Sequence, residues 1–384
     1  MKKGFVLINN SGVGGAERRF AISFLYLFEQ DKEVYLIINF RLYNLLKGVG
    51  LLPDNKNIVI LKDIIGRFVD QIEERFSLSA LSGLFFYIKK VDYIFFAFKT
   101  WLFFRKETIS VAHLILGGAY VGLPLFLNKE IRVVISVVCP LKRMVGSIIG
   151  LYLYLWALRR ADIIDALSTG IKTDLLSYGL QNGRIVISPG SFTDIERYFP
   201  AHKKKDWVVY AGRFHTDKNP LLFVDAIPSV ISSFPGARFY ILGEGYLETD
   251  VRNRIRELGI STSVEVKFLS DIGEVIRFSR VFVSIQREEN YPSQSLLEAM
   301  ACENAIIATD VGETRRLVDE KTGILIKEDA NELAYAIIEL LNNPDRSNRM
   351  GKCAREMVLR EHNPEVFMRY LADLYGKKWQ GTSV

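Results

Sequence analysis

Arg287 to Thr309 reads REENYPSQSLLEAMACENAIIAT, polar as far as Ser295 and then abruptly apolar and helical at Leu296-Leu297-Glu298-Ala299-Met300. The strand-like run Val281-Phe282-Val283-Ser284-Ile285 leads in, and Ala305-Ile306-Ile307-Ala308 follows. The unit is strand, polar loop, helix, strand, which is the repeat of a parallel sheet with helical crossovers. In such sheets the loops after strand carboxyl ends form the ligand crevice, and a helix N-terminus there presents free N–H groups and a positive dipole end. An anionic ligand suits that position. Glu289 and Glu298 bracket the turn, and carboxylates beside an anion site serve mainly as acceptors for hydroxyl groups. Phosphate plus hydroxyls suggests a sugar nucleotide. The competing reading makes Glu298 a solvated helix residue and Glu289 a loop charge.

A second stretch bears on that choice. Trp207-Val208-Val209-Tyr210-Ala211 is a short buried strand, followed by Gly212-Arg213-Phe214-His215-Thr216-Asp217-Lys218-Asn219-Pro220 and a helix from Leu221. Arg213 and Lys218 sit just past a strand end, where two cations could hold a diphosphate. The segments GRFHTDKNP, Ile241-Leu242-Gly243-Glu244-Gly245, LLEAMAC and Thr309-Asp310-Val311-Gly312 occur in that order. Together they resemble the retaining glycosyltransferases of family 4, which have the GT-B fold: α/β, with two doubly wound Rossmann-like domains facing a central cleft. Any one segment is weak, whereas four in order are specific.

Composition agrees with two domains. The chain has 384 residues, 49% of them hydrophobic, enough for two cores. The net charge is +6 and the pI about 9.0, which favours anionic partners. The densest basic cluster, Lys203-Lys204-Lys205, reads as a solvated connection, and without a basic stripe a nucleic-acid partner is not expected. Cys139, Cys302 and Cys353 lie far apart without metal-ligand spacing, which points to a reducing compartment. Met1 to Ile8 reads as a first strand rather than a signal peptide, because its apolar run is short and breaks at Asn9-Asn10.

That strand runs into Asn10-Ser11-Gly12-Val13-Gly14-Gly15-Ala16-Glu17, after which Phe20, Phe24 and Leu27 set a helical period. Glycines at a strand-to-helix junction let a backbone approach a ligand closely, and a plain tight turn is the alternative. The resemblance implies that Gly14 and Gly15 face the donor phosphates, with Glu17 on the acceptor side. Strands follow at Val34–Ile38, Ile58–Leu61 and Val111–Leu116. His113, in the last of these, could line the cleft on the acceptor side; the other reading is a satisfied core histidine.

Phe85 to Phe104 interleaves ten aromatic rings with Lys89, Lys90 and Lys99. It reads either as helices packed on a sheet or as an aromatic and basic surface at a membrane interface. Ile109 to Asn128 is interrupted by Gly117-Gly118 and Pro124, and Met144 to Leu158 is short for a span, so no transmembrane helix is expected. Where the family strand normally ends in Thr-Val-His-Asp, Val138 and Cys139 stand in place of the histidine and aspartate. The donor-sugar contact that the family takes from that histidine therefore has no counterpart here.

The expected division is 1–190 for an acceptor-side domain, 191–363 for a nucleotide-sugar domain and 364–384 for a helix crossing back to the first. The second domain repeats strand and helix from Trp207 to Ile326, with helices at Glu332–Leu341 and Asp345–Arg360.

The resemblance implies transfer of a sugar from a nucleoside diphosphate sugar to a glycan or lipid-linked acceptor with retention, in surface polysaccharide or glycolipid synthesis. Arg213 and Lys218 would hold the diphosphate, helped by N–H groups at Ser293, Gln294 and Ser295. Glu298 would accept the ribose hydroxyls, and Gly243 would border the donor. No Asp-x-Asp pair occurs, so nothing calls for a divalent metal, and no other cofactor is expected. The family spacing counted back from Glu298 lands on Asn290, with Glu289 one position further. A one-residue insertion near Ser293 to Ser295 would make Glu289 the residue that orients the sugar; otherwise Asn290 presents a neutral amide. The expected location is cytoplasmic, with peripheral contact at the inner face of the cell membrane left open. Two other readings are a non-catalytic sugar-nucleotide-binding scaffold subunit and a GT-B sugar-nucleotide epimerase.

Overall fold

The computed structural model describes residues 1–9, 12–63, 91–145, 147–289 and 291–376. Its contacts divide the chain into two compact units, Met1–Ser188 with Met368–Val384, and Pro189–Phe367. Asn10 and Ser11 of the glycine-rich loop, Phe85 to Lys90 of the aromatic run, Asn290, and residues 377–384 of the expected terminal segment lie outside the described residues.

The first unit is a seven-stranded parallel sheet. Its strands are β1 (Lys3–Ile8), β2 (Val34–Asn39), β3 (Ile58–Leu61), β4 (Val111–Leu116), β5 (Arg132–Val137), β6 (Ile163–Ala166) and β7 (Ile185–Ile187), in the order β3-β2-β1-β4-β5-β6-β7. The central strands are largely β-branched or aliphatic runs buried on both faces, as parallel strands under helices must be, while the edge strands β3 and β7 are only partly buried. The order reverses between β1 and β4, the switch point at which doubly wound sheets open a crevice.

Helix α1 (Gly15–Gln30) follows β1, α2 (Phe40–Gly48) follows β2, and α3 (Asp92–Glu107) precedes β4. Next come α4 (Gly118–Val121), α5 (Leu141–Met144), α6 (Ile148–Arg160) and α7 (Thr169–Ser177). Within α3, Phe96, Thr100 and Phe104 recur every fourth residue and enter the core, while Ile94, Phe95, Phe98 and Leu102 are exposed. The core reading of the aromatic run thus holds for one face of this helix, and the opposite face is exposed and apolar. Helices α3 and α6 both pack on α4, joined by a string of rings, Tyr93, Tyr120 and Tyr154. Ser147 caps α6 by accepting from the Gly150 N–H at 3.1 Å. Among the described residues no helix is long and apolar enough to cross a membrane.

The second unit holds a six-stranded parallel sheet of β8 (Lys205–Ala211), β9 (Arg238–Leu242), β10 (Val264–Lys267), β11 (Ser279–Ser284), β12 (Ala305–Thr309) and β13 (Gly323–Ile326). The order is β10-β9-β8-β11-β12-β13, so the reversal falls between β8 and β11. The helices are α8 (Pro220–Ser233), α9 (Glu248–Glu257), α10 (Gly273–Ile276), α11 (Gln294–Ala301), α12 (Ala330–Asn342) and α13 (Pro344–Glu361). The terminal helix α14 (Pro364–Gly376) starts in this unit, and its residues from Met368 belong to the first.

Lys204 departs from the solvated connection expected of the lysine run. Its ammonium turns inward and donates to the Cys302 carbonyl, and burial pushes its pKa down to about 8.

Candidate functional site

In the second unit the two stretches that opened the sequence reading flank the switch point. One follows β8 and the other follows β11. Beyond β8 the chain turns through Gly212-Arg213 and buries Phe214. It then makes a single 3-10 turn over Thr216–Lys218, and Pro220, which has no N–H, begins α8 at a position where the helix would not use one. The Tyr210 hydroxyl donates to the Lys218 carbonyl at 3.0 Å and fixes the base of that turn. The Arg213 guanidinium is exposed and has no ion pair among the described residues.

Gly243 is required by packing in this region. Its φ is +151°, and a Cβ there would come within 1.9 Å of the Gly212 carbonyl oxygen. The backbones are zipped at this point: Gly212 N–H donates to the Leu242 carbonyl at 3.0 Å, and Phe214 N–H to the Glu244 carbonyl at 2.8 Å. What the geometry gives Gly243 is support of the loop that carries Arg213.

Lys218 is buried, with 8% of its surface exposed, and its ammonium donates to Gln286 Oε1 at 2.5 Å. Asp217 Oδ2 stands 3.9 Å from the same nitrogen. Gln286 is held at the end of β11 by Thr309 of β12: its N–H donates to Thr309 Oγ1, and Thr309 Oγ1 donates to its carbonyl, both at 2.8 Å. Arg287 N–H donates to the Asp217 carbonyl at 2.9 Å, and Glu328 accepts from both Arg287 Nε and Asn219 Nδ2. The loops after β8, β11 and β13, with the last residue of β12, are thereby one hydrogen-bonded assembly around Lys218. Sequence reading missed Gln286 and Thr309. Their only signal is a polar residue at each of two strand ends, and it acquires meaning once β11 is known to lie between β8 and β12.

Helix α11 starts at Gln294, one residue before the expected loop end at Ser295. The side chains of its first turn are engaged within the unit. Ser295 Oγ donates to the Ala211 carbonyl at 3.0 Å and lies 3.3 Å from Ser293 Oγ. Gln294 Nε2 donates to the Phe192 carbonyl and to Glu298 Oε1, while Gln294 Oε1 accepts from Ser191 Oγ at 3.1 Å. What the turn retains for a ligand is backbone N–H groups, which have no intrahelical acceptor. Glu298 is not the solvated helix residue of the competing reading: it is buried, 8% exposed, inside α11. Glu289 lies against Gly312 of the TDVG turn.

In the first unit, the loop after β1 is closed by Glu17. Its Oε2 accepts from Gly14 N–H at 2.8 Å and its Oε1 from Asn9 Nδ2 at 2.5 Å. Gly14 is the N-cap of α1, Glu17 in the first turn supplies the acceptor half of a capping box, and Gly15 is the helix's first residue. Asn39, at the end of β2, exchanges two 3.1 Å bonds with the Asn9 backbone.

His113 is corrected by the structure. It is not at a strand end lining a cleft but within β4, 1% exposed, between Phe5, Phe20 and Tyr375. Nδ1 meets Tyr375 Oη at 2.8 Å and Nε2 meets Ser136 Oγ at 2.7 Å, so both ring nitrogens are satisfied. Ser136 donates in turn to Asp165 Oδ2 at 2.5 Å, and Tyr370 donates to Asp165 Oδ1 at 2.6 Å. Burial, with Arg19 nearby, pulls the His113 pKa down to about 3, while burial raises that of Asp165 against the attraction of Arg19. The network pins the terminal helix to the sheet.

Among the described residues no group of three His, Cys, Asp or Glu side chains could hold a metal ion.

Comparison with known proteins bears on what these loops are. Residues 205–343 match the family model described as Glycosyl transferases group 1. The alpha-maltose-1-phosphate synthase of Mycolicibacterium smegmatis is 36% identical over 256 residues, 58% of this chain and 64% of that protein. An uncharacterized glycosyltransferase of Methanocaldococcus jannaschii is 29% identical over 218 residues, 55% of this chain and 58% of its own length. The chain thus spans less than two thirds of these curated relatives. A crystal structure of Anabaena HepE in complex with UDP and glucose superposes with a TM-score of 0.76 at 14% identity, covering 98% of this chain and 100% of that one. Residues 205–343 therefore form a domain of the glycosyl transferases group 1 family, carried in a chain of GT-B fold.

Proposed function

We propose that the chain transfers a sugar from a nucleoside diphosphate sugar to a glycan or lipid-linked acceptor with retention of configuration, in surface polysaccharide or glycolipid synthesis. The observation that carries this reading is the buried Lys218 ammonium, held by Gln286 where three strand-end loops of the group 1 domain meet. A buried cation beside the exposed Arg213 and the open N–H groups of α11 makes one anion-binding locus at the switch point.

The hard step is departure of the nucleoside diphosphate. The bond from the anomeric carbon to the phosphate oxygen breaks with its electron pair going to that oxygen, and Arg213 and Lys218 stabilise the charge as it develops. The acceptor hydroxyl attacks from the same face, and its proton passes to the departing phosphate. Glu298 receives the ribose hydroxyls, and Glu289, positioned by Gly312, orients the sugar. These cations supply the positive charge, so the proposed reaction needs no divalent metal. Retention rests on the family resemblance.

Contact with the inner face of a membrane is part of the proposal. The outer face of α6 is apolar, with Ile148 76%, Ile149 74% and Tyr152 68% exposed. From Leu141 to Arg160 the chain carries Lys142, Arg143, Arg159 and Arg160 and no carboxylate, which suits anionic headgroups.

The test is turnover of UDP-, GDP- and ADP-sugars with simple alkyl-glycoside acceptors in EDTA, with product stereochemistry read by proton NMR. The proposal expects one donor to turn over and to give the anomer it started from. Inversion contradicts the mechanism. Tight donor binding without turnover would favour a non-catalytic binding subunit, the reading to which Val138 and Cys139, standing at the end of β5, lend weight.

A further inference from the structure

A cleft of about 790 Å3 opens in the second unit at the amino-terminal ends of β8 and β11. The donor loops lie beyond the carboxyl ends of these same two strands. With seven residues in β8, the two places are about 20 Å apart along the strand. The cleft is lined by Phe199, His202, Lys203, Lys205, Arg277 and Phe278, together with Pro200 and Ala201, and no carboxylate is among these residues.

Its cations, unlike many others of the unit, lack carboxylate partners among the described residues. Arg197, Arg252, Arg254, Arg280, Arg315 and Arg316 all have carboxylate partners. Lys203, Lys205 and Arg277 have none among the described residues. Lys205 and Arg277 rest instead on rings and backbone. The Arg277 guanidinium lies 4.5 Å from the Phe199 ring centre and its Nε donates to the Gly273 carbonyl at 2.9 Å; the Lys205 ammonium is 5.2 Å from the Phe278 ring. Lys204, between the two outward lysines, turns away to the Cys302 carbonyl, so the run splits into one inward and two outward charges. The walls are built: Ala201 N–H donates to the Arg277 carbonyl and Lys205 N–H to the Phe278 carbonyl, at 3.0 and 2.7 Å.

Three cations without carboxylate partners lining one cleft raise the local potential for an anion, and the volume suits a small ligand. Phe199 is 43% exposed. A pyranose is apolar on its C–H face and polar at its rim, so it can lie flat on such a ring while an anionic substituent reaches the cations. We infer that this cleft is a second, non-catalytic binding site for a sugar carrying a carboxylate or phosphate. It is independent of the donor site and can hold an anionic glycan while the opposite end of the sheet works.

The test is calorimetric titration of the full chain with tetragalacturonate for the carboxylate arm and mannose 6-phosphate for the phosphate arm. Maltotetraose is the neutral control, and an eight-residue thymidine oligonucleotide tests for single-stranded nucleic acid. At least one anionic sugar should bind, more tightly than maltotetraose. Lys203→Glu should weaken it about tenfold, the loss of one charge-assisted contact. Phe199→Ala, at an exposed position whose loss leaves the fold intact, should also weaken it, while Lys218→Ala should leave it unchanged. The inference is overturned if neither anionic sugar binds, if Lys203→Glu and Phe199→Ala leave binding intact, or if Lys218→Ala abolishes it. Tighter binding of the oligonucleotide than of either sugar also overturns it and makes the cleft a nucleic-acid site.

Discussion

Gly312 and Glu289 are fitted to each other: Gly312 has φ +54°, and a Cβ there would come within 2.6 Å of Glu289 Cγ. The turn after β12 thus forms the floor on which the β11 loop sets its acidic side chain. A side chain at 312 would meet a left-handed backbone, at about 1–2 kcal/mol, and would push the Glu289 carboxylate from its place.

Gly312→Ala is therefore expected to lower kcat for the sugar nucleotide at least tenfold while changing nucleoside diphosphate affinity much less, since the bonds that hold Lys218 and Gln286 do not involve residue 312. Steady-state kinetics beside calorimetry of the free diphosphate separates the two. Equal losses in both would show that Glu289 holds the nucleotide rather than the sugar.

The buried histidine gives a pH dependence of stability. Folding lowers the His113 pKa to about 3, from an ordinary value of 6.5. Below pH 6.5 the unfolded chain takes up a proton that the folded chain refuses until about pH 3, so this contribution is lost as pH falls across that window, by about 1.4 kcal/mol per unit. Asp165, raised by burial, acts in the opposite sense, so the comparison must be made between variants. Urea midpoints of wild type and His113→Gln should differ most at pH 8 and converge towards pH 5. A gap that stays constant with pH contradicts a neutral His113 in the fold.

For the outer face of α6, Ile149→Glu should reduce co-sedimentation with vesicles of anionic lipid without altering diphosphate affinity. Ile149 is 74% exposed, and its replacement removes no core contact. Vesicle binding that is absent in the wild type, or indifferent to the change, removes α6 from the membrane account.

Much of this was legible in local sequence. A strand reads as a β-branched run, and the residues just beyond it, such as Arg213, Lys218 and Glu289, are placed at the crevice end by chain direction alone. Long-range pairing was not legible. Gln286 matters because Lys218, 68 positions earlier, and Thr309, 23 later, meet it at adjacent strand ends. His113 read as a core histidine by the commoner outcome, yet a place in the cleft stayed open because what covers it, Tyr375, comes 262 positions later. The lysine run at 203–205 misled for the same reason: a carbonyl at Cys302 turns its middle member inward.

The central claim is that the group 1 domain holds a nucleoside diphosphate through Lys218, and calorimetric titration of UDP, GDP and ADP into wild type and Lys218→Ala, with EDTA present, tests it most directly. The account predicts that one diphosphate binds the wild type without metal. It predicts that Lys218→Ala weakens binding by about 1.5–3 kcal/mol, the worth of a charge-assisted contact, roughly ten- to a hundredfold in Kd. Unchanged affinity in the variant, or no binding of any of the three, would contradict it.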